Sequence, residues 1–428
     1  MSAAQVSAWG NLGWPPAAEI RRFGERDAAL PAVAGTLLPY GNGRSYGDSC
    51  LNPGGTLLAM RGLDRFIAFD AATGVLACEA GVLLADILDL AVPRGWFLPV
   101  TPGTRYVTVG GAIANDVHGK NHHAAGSFGA HLRAFELLRS DGSRRRCSPH
   151  ENADWFAATV GGLGLTGVVT RAELQLRRIG GNAIAVRNTR FTGLDEFFAL
   201  NAEAERRHEY AVAWIDCLAK TPRGVLMGGD HADAELPAPR GEKSVPLTPP
   251  FSLINGLSLR AFNAAYNGKP WPSGQTVHYQ PYFYPLDAIG HWNRIYGPRG
   301  FYQYQSVVPQ AAAQDATGEM LAAIAASGQG SFLAVLKTLG DTPSPGMLSF
   351  PMAGTTLALD FPNHGEATLR LFERLDAIVR AAGGRLYPAK DARMPPAMFR
   401  AGYPRAGEFS SFVDPKFSSG FWRRVMEQ

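Results

Sequence analysis

Residues 167–179, GVVTRAELQLRRI, alternate. Val168, Thr170, Ala172, Leu174 and Leu176 share one face, and Arg171, Glu173, Gln175 and Arg177 share the other. A period of two with one apolar face predicts a half-buried strand. The apolar runs at 35–40 (GTLLPY), 74–81 (GVLACEAG) and 96–100 (WFLPV) are short and lead into glycine or proline, which predicts buried strands ending in loops. Residues 83–95 (LLADILDLAVPRG) repeat their apolar positions at helical spacing and stop at Pro93 and Gly95, as a helix would. Residues 153–162 (ADWFAATVGG) predict a second helix, and Asp141-Gly142 a hairpin turn.

From about 182 to 384 the character changes. Aromatics thicken, and a polar, proline-rich stretch at 229–250 predicts a mobile loop. Residues 316–328 (ATGEMLAAIAASG) and 367–384 (ATLRLFERLDAIVRAAGG) predict amphipathic helices, each closed by glycine. Strands and helices alternate as in an α+β protein. With 428 residues, two domains or one domain carrying a large insertion is the expectation.

Composition narrows the class. At 46% hydrophobic residues the chain can bury sizeable cores. Its net charge of +4 is modest, and the one basic run, Ser143 to Cys147, follows the Asp141-Gly142 turn. A solvated hairpin arm explains that run better than a nucleic-acid surface. Cys50, Cys78, Cys147 and Cys217 form no C-x-x-C pair, which argues against structural zinc and for reduced thiols. The first residues show no basic start followed by an apolar run, so no signal peptide is expected. No apolar stretch reaches 18 residues, so no membrane span is expected; surface association stays open.

Two glycine clusters invite a nucleotide. YGNGRSYGDS, residues 40–49, follows a predicted strand, and its glycines let backbone N–H groups approach an anion; a tight turn accounts for the same letters. GLGLTG, residues 162–167, spells G-x-G-x-x-G. A helix precedes it and a strand follows, the reverse of the order a dinucleotide fold requires. A third cluster, DVHGKNHHAAGS at 116–127, offers His118, His122 and His123 to a metal. Gly119 interrupts the i,i+4 pair and no H-E-x-x-H is present, so a metal is not expected. The small residues just upstream, Gly110, Gly111, Ala112 and Ala114, leave room for a flat ligand.

GNGRSYGD (41–48), PGTRYVTVGGAIANDVHGKNHHAAGSFG (102–129), TVGGLGLTGVV (159–169), FYQYQSVVP (301–309), SFLAVLKTLG (331–340) and GGRLYPAKDAR (383–393) occur in that order. Together they resemble FAD-linked oxidases of the vanillyl-alcohol-oxidase type. More narrowly, they are similar to the oxidase subunits of decaprenylphosphoryl-β-D-ribose 2′-epimerases. The similarity runs from about residue 30 to the end. It implies a two-part FAD-binding domain of the PCMH type, residues 1–182 and 385–428, around an inserted α+β substrate cap, 183–384.

The resemblance also implies residues. Tyr40, Gly41, Asn42, Gly43, Arg44, Ser45, Tyr46, Gly47, Asp48 and Ser49 would hold the FAD pyrophosphate. Gly103, Thr108, Val109, Gly110, Gly111, Asn115, Asp116, Val117 and His118 would line the ring and ribityl chain, with Val169 and Tyr387 as further contacts. Many relatives attach FAD through a histidine in G-x-G-H-S. Arg44 stands at that position, so the FAD is expected to be non-covalent; His118 is left as an attachment point in principle. The implied reaction takes the 2′-hydroxyl of a polyprenyl-phosphoryl ribose to a ketone, with the hydride passing to the flavin. Lys390, His118 and Lys120 match the reacting residues, and which of them takes the hydroxyl proton stays open. Trp214, Gln303, Gln305, Val335 and Lys337, with Lys120 and Lys390, match the substrate pocket. Lys120 and Lys337 suit a phosphodiester, and the apolar region at 249–259 a prenyl chain arriving from a membrane.

Three positions depart from the pattern. Ala358 replaces the cysteine that nitroaromatic inhibitors trap in mycobacterial relatives, Phe283 replaces a tyrosine, and Val212 a serine. A separate NADH-dependent short-chain reductase would complete the epimerisation. The cytoplasm, with peripheral contact at the inner face of the cell membrane left open, is the implied location. A sugar-alcohol or aldonolactone oxidase, and a non-catalytic binding protein of the same fold, are the alternatives.

Overall fold

The computed structural model describes residues 6–239, 241 and 243–426. Its first part holds a three-stranded and a five-stranded sheet, with a short two-stranded pair, Trp96–Phe97 and Arg177–Arg178, beside them. Thr56–Ala59 lies between Glu19–Arg22 and Leu37–Tyr40, parallel to both. The second sheet is antiparallel, in the order Phe66–Asp70, Val75–Glu79, Val168–Gln175, Leu132–Leu138 and Arg144–Cys147. The alternation at 168–175 appears as expected: Val168, Thr170, Ala172 and Leu174 are buried and Arg171 is exposed. The helix Leu84–Ala91 runs through a short 3-10 turn to Gly95, whose φ of 76° ends it. The Asp141-Gly142 turn closes a hairpin, with Gly142 at φ 82°. Arg144 pairs with Glu136 on its exposed arm. GLGLTG joins the helix Ala153–Thr159 to the strand Val168–Gln175, helix first.

The middle of the chain builds an eight-stranded antiparallel sheet. Its order is Gln275–His278, Ala183–Thr192, Arg223–Ala232, Tyr210–Ile215, Ala334–Leu339, Gly354–Pro362, Phe301–Pro309 and Arg385–Leu386. One face packs on three helices, Leu194–Arg207, Ala313–Ser327 and Glu366–Ala381. There Phe197, Met320, Ile324, Phe372 and Leu375 meet Ala213, Leu336, Leu357, Leu359 and Phe361. The expected loop at 229–250 is corrected at its start: Gly229–Ala232 continue the strand from Arg223, paired residue by residue with Ala183–Val186. Polar residues with little strand propensity hold a strand here because the neighbouring strand pairs with each of them. Tyr282 also closes over Gly229, whose added Cβ would meet the phenol oxygen at 2.5 Å.

The last residues return to both regions. Arg385–Leu386 forms the edge of the large sheet. Beyond it, Leu37 N–H donates to the Lys416 carbonyl at 2.6 Å, and the helix Gly420–Met426 docks against the loop that follows Leu37–Tyr40. No helix among the described residues is long and apolar enough to cross a membrane.

Candidate active site

Between the two regions lies a cavity of about 680 Å³, within the range of small-molecule and cofactor sites. The free face of the large sheet forms one wall. Because side chains alternate across a strand, residues one step from the helix-facing set all point the other way. Trp214 pairs with Val335, Val335 with Ala358, and Ala358 with Gln305, so four strands lay one row of side chains across the wall. Lys337 pairs with Thr356 in the next row. All six line the cavity.

The opposite wall comes from the glycine-rich segments. Gly41, Asn42, Gly43, Arg44, Ser45, Tyr46 and Ser49 line it, as do Gly103, Thr108, Gly110, Gly111, Asn115, Val117, His118, Val169 and Tyr387. The short helix Val109–Ala114 is capped by Thr108, whose hydroxyl accepts from Gly111 N–H at 3.0 Å. A Cβ on Gly41 would stand 2.5 Å from the Thr108 hydroxyl, so glycine is needed where loop and cap meet. Gly110 and Gly111 leave a low surface beside them.

Five expected positions do not line the cavity; they support those that do. The Tyr40 hydroxyl donates to the Ser7 carbonyl at 2.9 Å. Gly47 faces the C-terminal segment, where a Cβ would lie 2.0 Å from the Asp391 carbonyl oxygen. Asp48 pairs with Arg424 at 2.7 Å. Val109 is fully buried. Asp116, at φ 38°, accepts from Ser127, Ser349 and the Gly129 N–H at 2.8, 2.5 and 2.8 Å. These three bonds hold a left-handed backbone that a non-glycine residue seldom adopts, two residues before His118.

At the other end of the cavity His118 is enclosed by the Phe350 and Tyr387 rings, with centroids at 5.4 and 5.3 Å. Its Nε2 lies 3.1 Å from the Gln305 amide nitrogen. Burial, with Lys337, His122 and Lys390 nearby, holds its pKa well below the usual histidine value. Three lysines share this end. Lys337 is buried and donates to the Gly119 carbonyl at 2.9 Å. Lys120 donates to the Tyr282 carbonyl, and its ammonium stands 4.4 Å over the Tyr282 ring. Lys390 lies 4.0 Å over the Tyr46 ring. Desolvation lowers Lys120 and Lys337 to about 7 and Lys390 to about 8, the last opposed by Asp360. Lysines of this kind can gain or lose a proton near neutrality.

Sequence reading missed several cavity residues. Trp9 lies under the Arg44 guanidinium at 4.2 Å, and Cys50, Tyr266, His291 and Trp292 also line the wall. Asp360 does not itself line the cavity but accepts the amide of Gln303, which does, at 2.6 Å, and its other oxygen has no partner among the described residues. Its signal was present in the alternation of Thr356, Ala358 and Asp360 along TTLALDF. Phe283 and Val212, both departures from the family pattern, line the cavity too. His118 bridges to Ser127, while His122 opens the four-residue helix His122–Ala125. The two rings therefore do not sit on one helix as a chelating pair.

These residues fit FAD. The cavity joins a glycine-lined end to a cationic end, and three buried polar atoms on its wall, Arg44 Nε, Ser49 Oγ and His118 Nδ1, have no partner among the described residues. Such atoms call for a bound group.

Comparison with known proteins agrees. Residues 34–148 match the FAD binding domain family. The chain is 37% identical to decaprenylphosphoryl-beta-D-ribose oxidase of Mycolicibacterium smegmatis, over 98% of this chain and 97% of that one. It is 35% identical to an uncharacterized protein of Streptomyces coelicolor, over 80% of this chain and all of the relative. Delta(24)-sterol reductase of Homo sapiens matches at 28% over 42% of this chain. With a full-length match of that order joined to a cavity built for a flavin, the chain belongs to the decaprenylphosphoryl-β-D-ribose oxidase family of FAD-dependent oxidoreductases.

Proposed function

We propose that the protein oxidises the 2′-hydroxyl of a polyprenyl-phosphoryl-β-D-ribose to the 2′-ketone, the first half of epimerisation to the arabinose form. The observation that carries this reading is the convergence of Lys120, Lys337 and Lys390 with His118 at one end of a largely apolar cavity. Lys120 and Lys337 bind the phosphodiester. The row of Trp214, Val335 and Gln305 orients the sugar. Lys390 holds positive charge at the reacting end, and His118, fixed by Gln305 and the two aromatic rings, sets the direction in which the hydroxyl proton leaves. Bound FAD supplies the acceptor for the hydride.

The cofactor-contacting set is the glycine-rich wall described above, within a two-part FAD-binding domain at 1–182 and 385–428 around the cap. FAD is held without a covalent bond, because Arg44 stands where relatives carry the attaching histidine, and its guanidinium, which lies over Trp9, is not a nucleophile. Acid precipitation of the yellow protein should release all FAD into the supernatant; flavin that stays with the pellet contradicts non-covalent binding. Reduction of that FAD by a polyprenyl-phosphoryl ribose under anaerobic conditions tests the substrate. An aldonolactone or sugar alcohol that reduces it while the lipid does not would replace this reading.

Ala358 lines the cavity between Val335 and Gln305 and carries no thiol. Turnover with a nitroaromatic inhibitor should leave the wild-type mass unchanged, and Ala358→Cys should gain the adduct. An adduct on the wild-type chain would refute this.

Leu247, Phe251, Leu253 and Leu257 are exposed, from 47% to 81%. Exposed apolar side chains in one segment mark interaction surfaces, and here they support docking at a membrane through which the prenyl chain enters. A separate NADH-dependent short-chain reductase then takes the ketone onward.

A further inference from the structure

His122 and His123 have no part in the reaction as described, yet neither is an ordinary surface histidine. His122 is 1% exposed, and both its ring nitrogens lack a partner among the described residues. Buried polar atoms without partners are uncommon and mark sites where water or a functional group is held. Orphans of the same kind lie on either side of it. Inward, His118 Nδ1 is buried and unpartnered at the cavity. Outward, His123 Nδ1 and Glu205 Oε1 are buried and unpartnered.

The backbone sets these groups in sequence from inside to outside. His118 and His122 are buried, and His123 and Glu205 are half-exposed. The helix His122–Ala125 rests on the end of the strand Ala334–Leu339, where a Cβ on Gly340 would meet the His123 Cα at 2.7 Å. His123 Nε2 lies 3.1 Å from the His208 carbonyl, at the end of the helix that carries Glu205. The charged groups facing the row are Lys337 beside His122, and Glu205 and the His208–Asp230 pair beside His123.

We infer that His122, with bridging water, carries the proton released by alcohol oxidation from the cavity past His123 Nδ1 to solvent at Glu205. The inference rests on the oxidation proposed above. Each oxidised alcohol yields one ketone, one hydride and one proton. The hydride goes to the flavin, the O–H bond breaks, and its proton passes to a basic group at the His118–Lys337 end. A neutral imidazole then accepts a proton at one nitrogen and releases one from the other, which requires both nitrogens to be uncommitted to the protein. His122 meets that requirement. Burial and the neighbouring Lys337 keep its pKa near 4, so the ring stays neutral between turnovers and does not trap the proton.

The test uses the FAD-loaded enzyme. His122→Leu should slow anaerobic single-turnover reduction by on the order of 100-fold, the lower range of proton-transfer catalysis, with the FAD spectrum intact and added imidazole restoring part of the rate. A ring present only for packing predicts the opposite, since an apolar side chain of similar size removes two orphaned atoms without harm. Wild-type reduction by His122→Leu therefore overturns the inference. Glu205→Gln, on a half-exposed side chain, keeps the test decisive if His122→Leu does not fold. It should slow turnover several-fold in dilute buffer and recover as buffer concentration rises, and a rate insensitive to both overturns the inference. A high-resolution structure supplies a readout separate from activity, with ordered water touching the His122 ring expected and a dry ring contradicting it. A wild-type enzyme reduced by another alcohol and not by the lipid would discard the substrate reading alone, and the relay would be tested with that alcohol.

Discussion

Lys390→Ala should lower the rate of FAD reduction by roughly two to three powers of ten while leaving FAD bound. Lys390 lines the cavity and rests on the Tyr46 ring at 4.0 Å, so truncation removes a cation from the reacting end without opening the glycine-lined end. A charge pair at about 4 Å is worth roughly 4 kcal/mol at an effective dielectric near 20, and each ~1.4 kcal/mol is tenfold in rate. The sign of the pH dependence follows. Burial lowers Lys390 from its usual value to about 8, against the opposing effect of Asp360. The ammonium is present below that pH and lost above it. Wild-type reduction should therefore decline above about pH 8, and the decline should be missing from Lys390→Ala. Stopped-flow absorbance at the flavin band measures both, and a variant that turns over normally would remove Lys390 from the reaction.

Arg424→Met should destabilise the whole protein and loosen FAD. Arg424 donates to Asp48 at 2.7 and 3.1 Å and to Asp391 at 3.0 Å, and both carboxylates are buried, at 1% and 6% exposure. Removing the shared cation leaves two carboxylates in a low-dielectric site. Breaking a buried pair in this way costs about 3–5 kcal/mol. Asp48 precedes Ser49, which lines the cavity, so the loss reaches the proposed cofactor loop directly. Thermal melting should show a drop of several degrees, with lower FAD content in the purified variant. Arg424→Lys should recover only part, because an ammonium cannot span both carboxylates as a guanidinium does. Unchanged melting would contradict a stabilising role for the shared cation.

What the sequence disclosed was what neighbours along the chain decide. The alternation at 168–175, the helices at 84–91 and 366–381, and the glycine that ends each of them are local patterns, and the structure repeats them. Gly229–Ala232 were read as loop because they open a polar, proline-rich stretch with no strand signal, and their strand is set by pairing with Ala183–Val186. The family resemblance located Trp214, Val335 and Gln305 individually, but their alignment in one row depends on the register of four strands drawn from distant parts of the chain. Asp360 escaped notice for a related reason. Its alternation marks two faces, and nothing local says which face meets the helices. Of the five glycine-loop and helix positions that do not line the cavity, Gly47 and Asp48 are placed by the C-terminal segment, Tyr40 by Ser7 and Asp116 in part by Ser349, contacts that no short stretch of sequence encodes.

The anchoring of residues 391–426 against the loop at 41–49 also bears on how the enzyme is made. Chains fold from the N-terminus as they leave the ribosome, and pairings between distant segments form late. The loop that Arg424 and Asp391 complete must wait through most of translation for its other half. The loop's conformation therefore depends on a distant segment, and a chain cut before Arg424 would leave Asp48 and Asp391 without their shared cation.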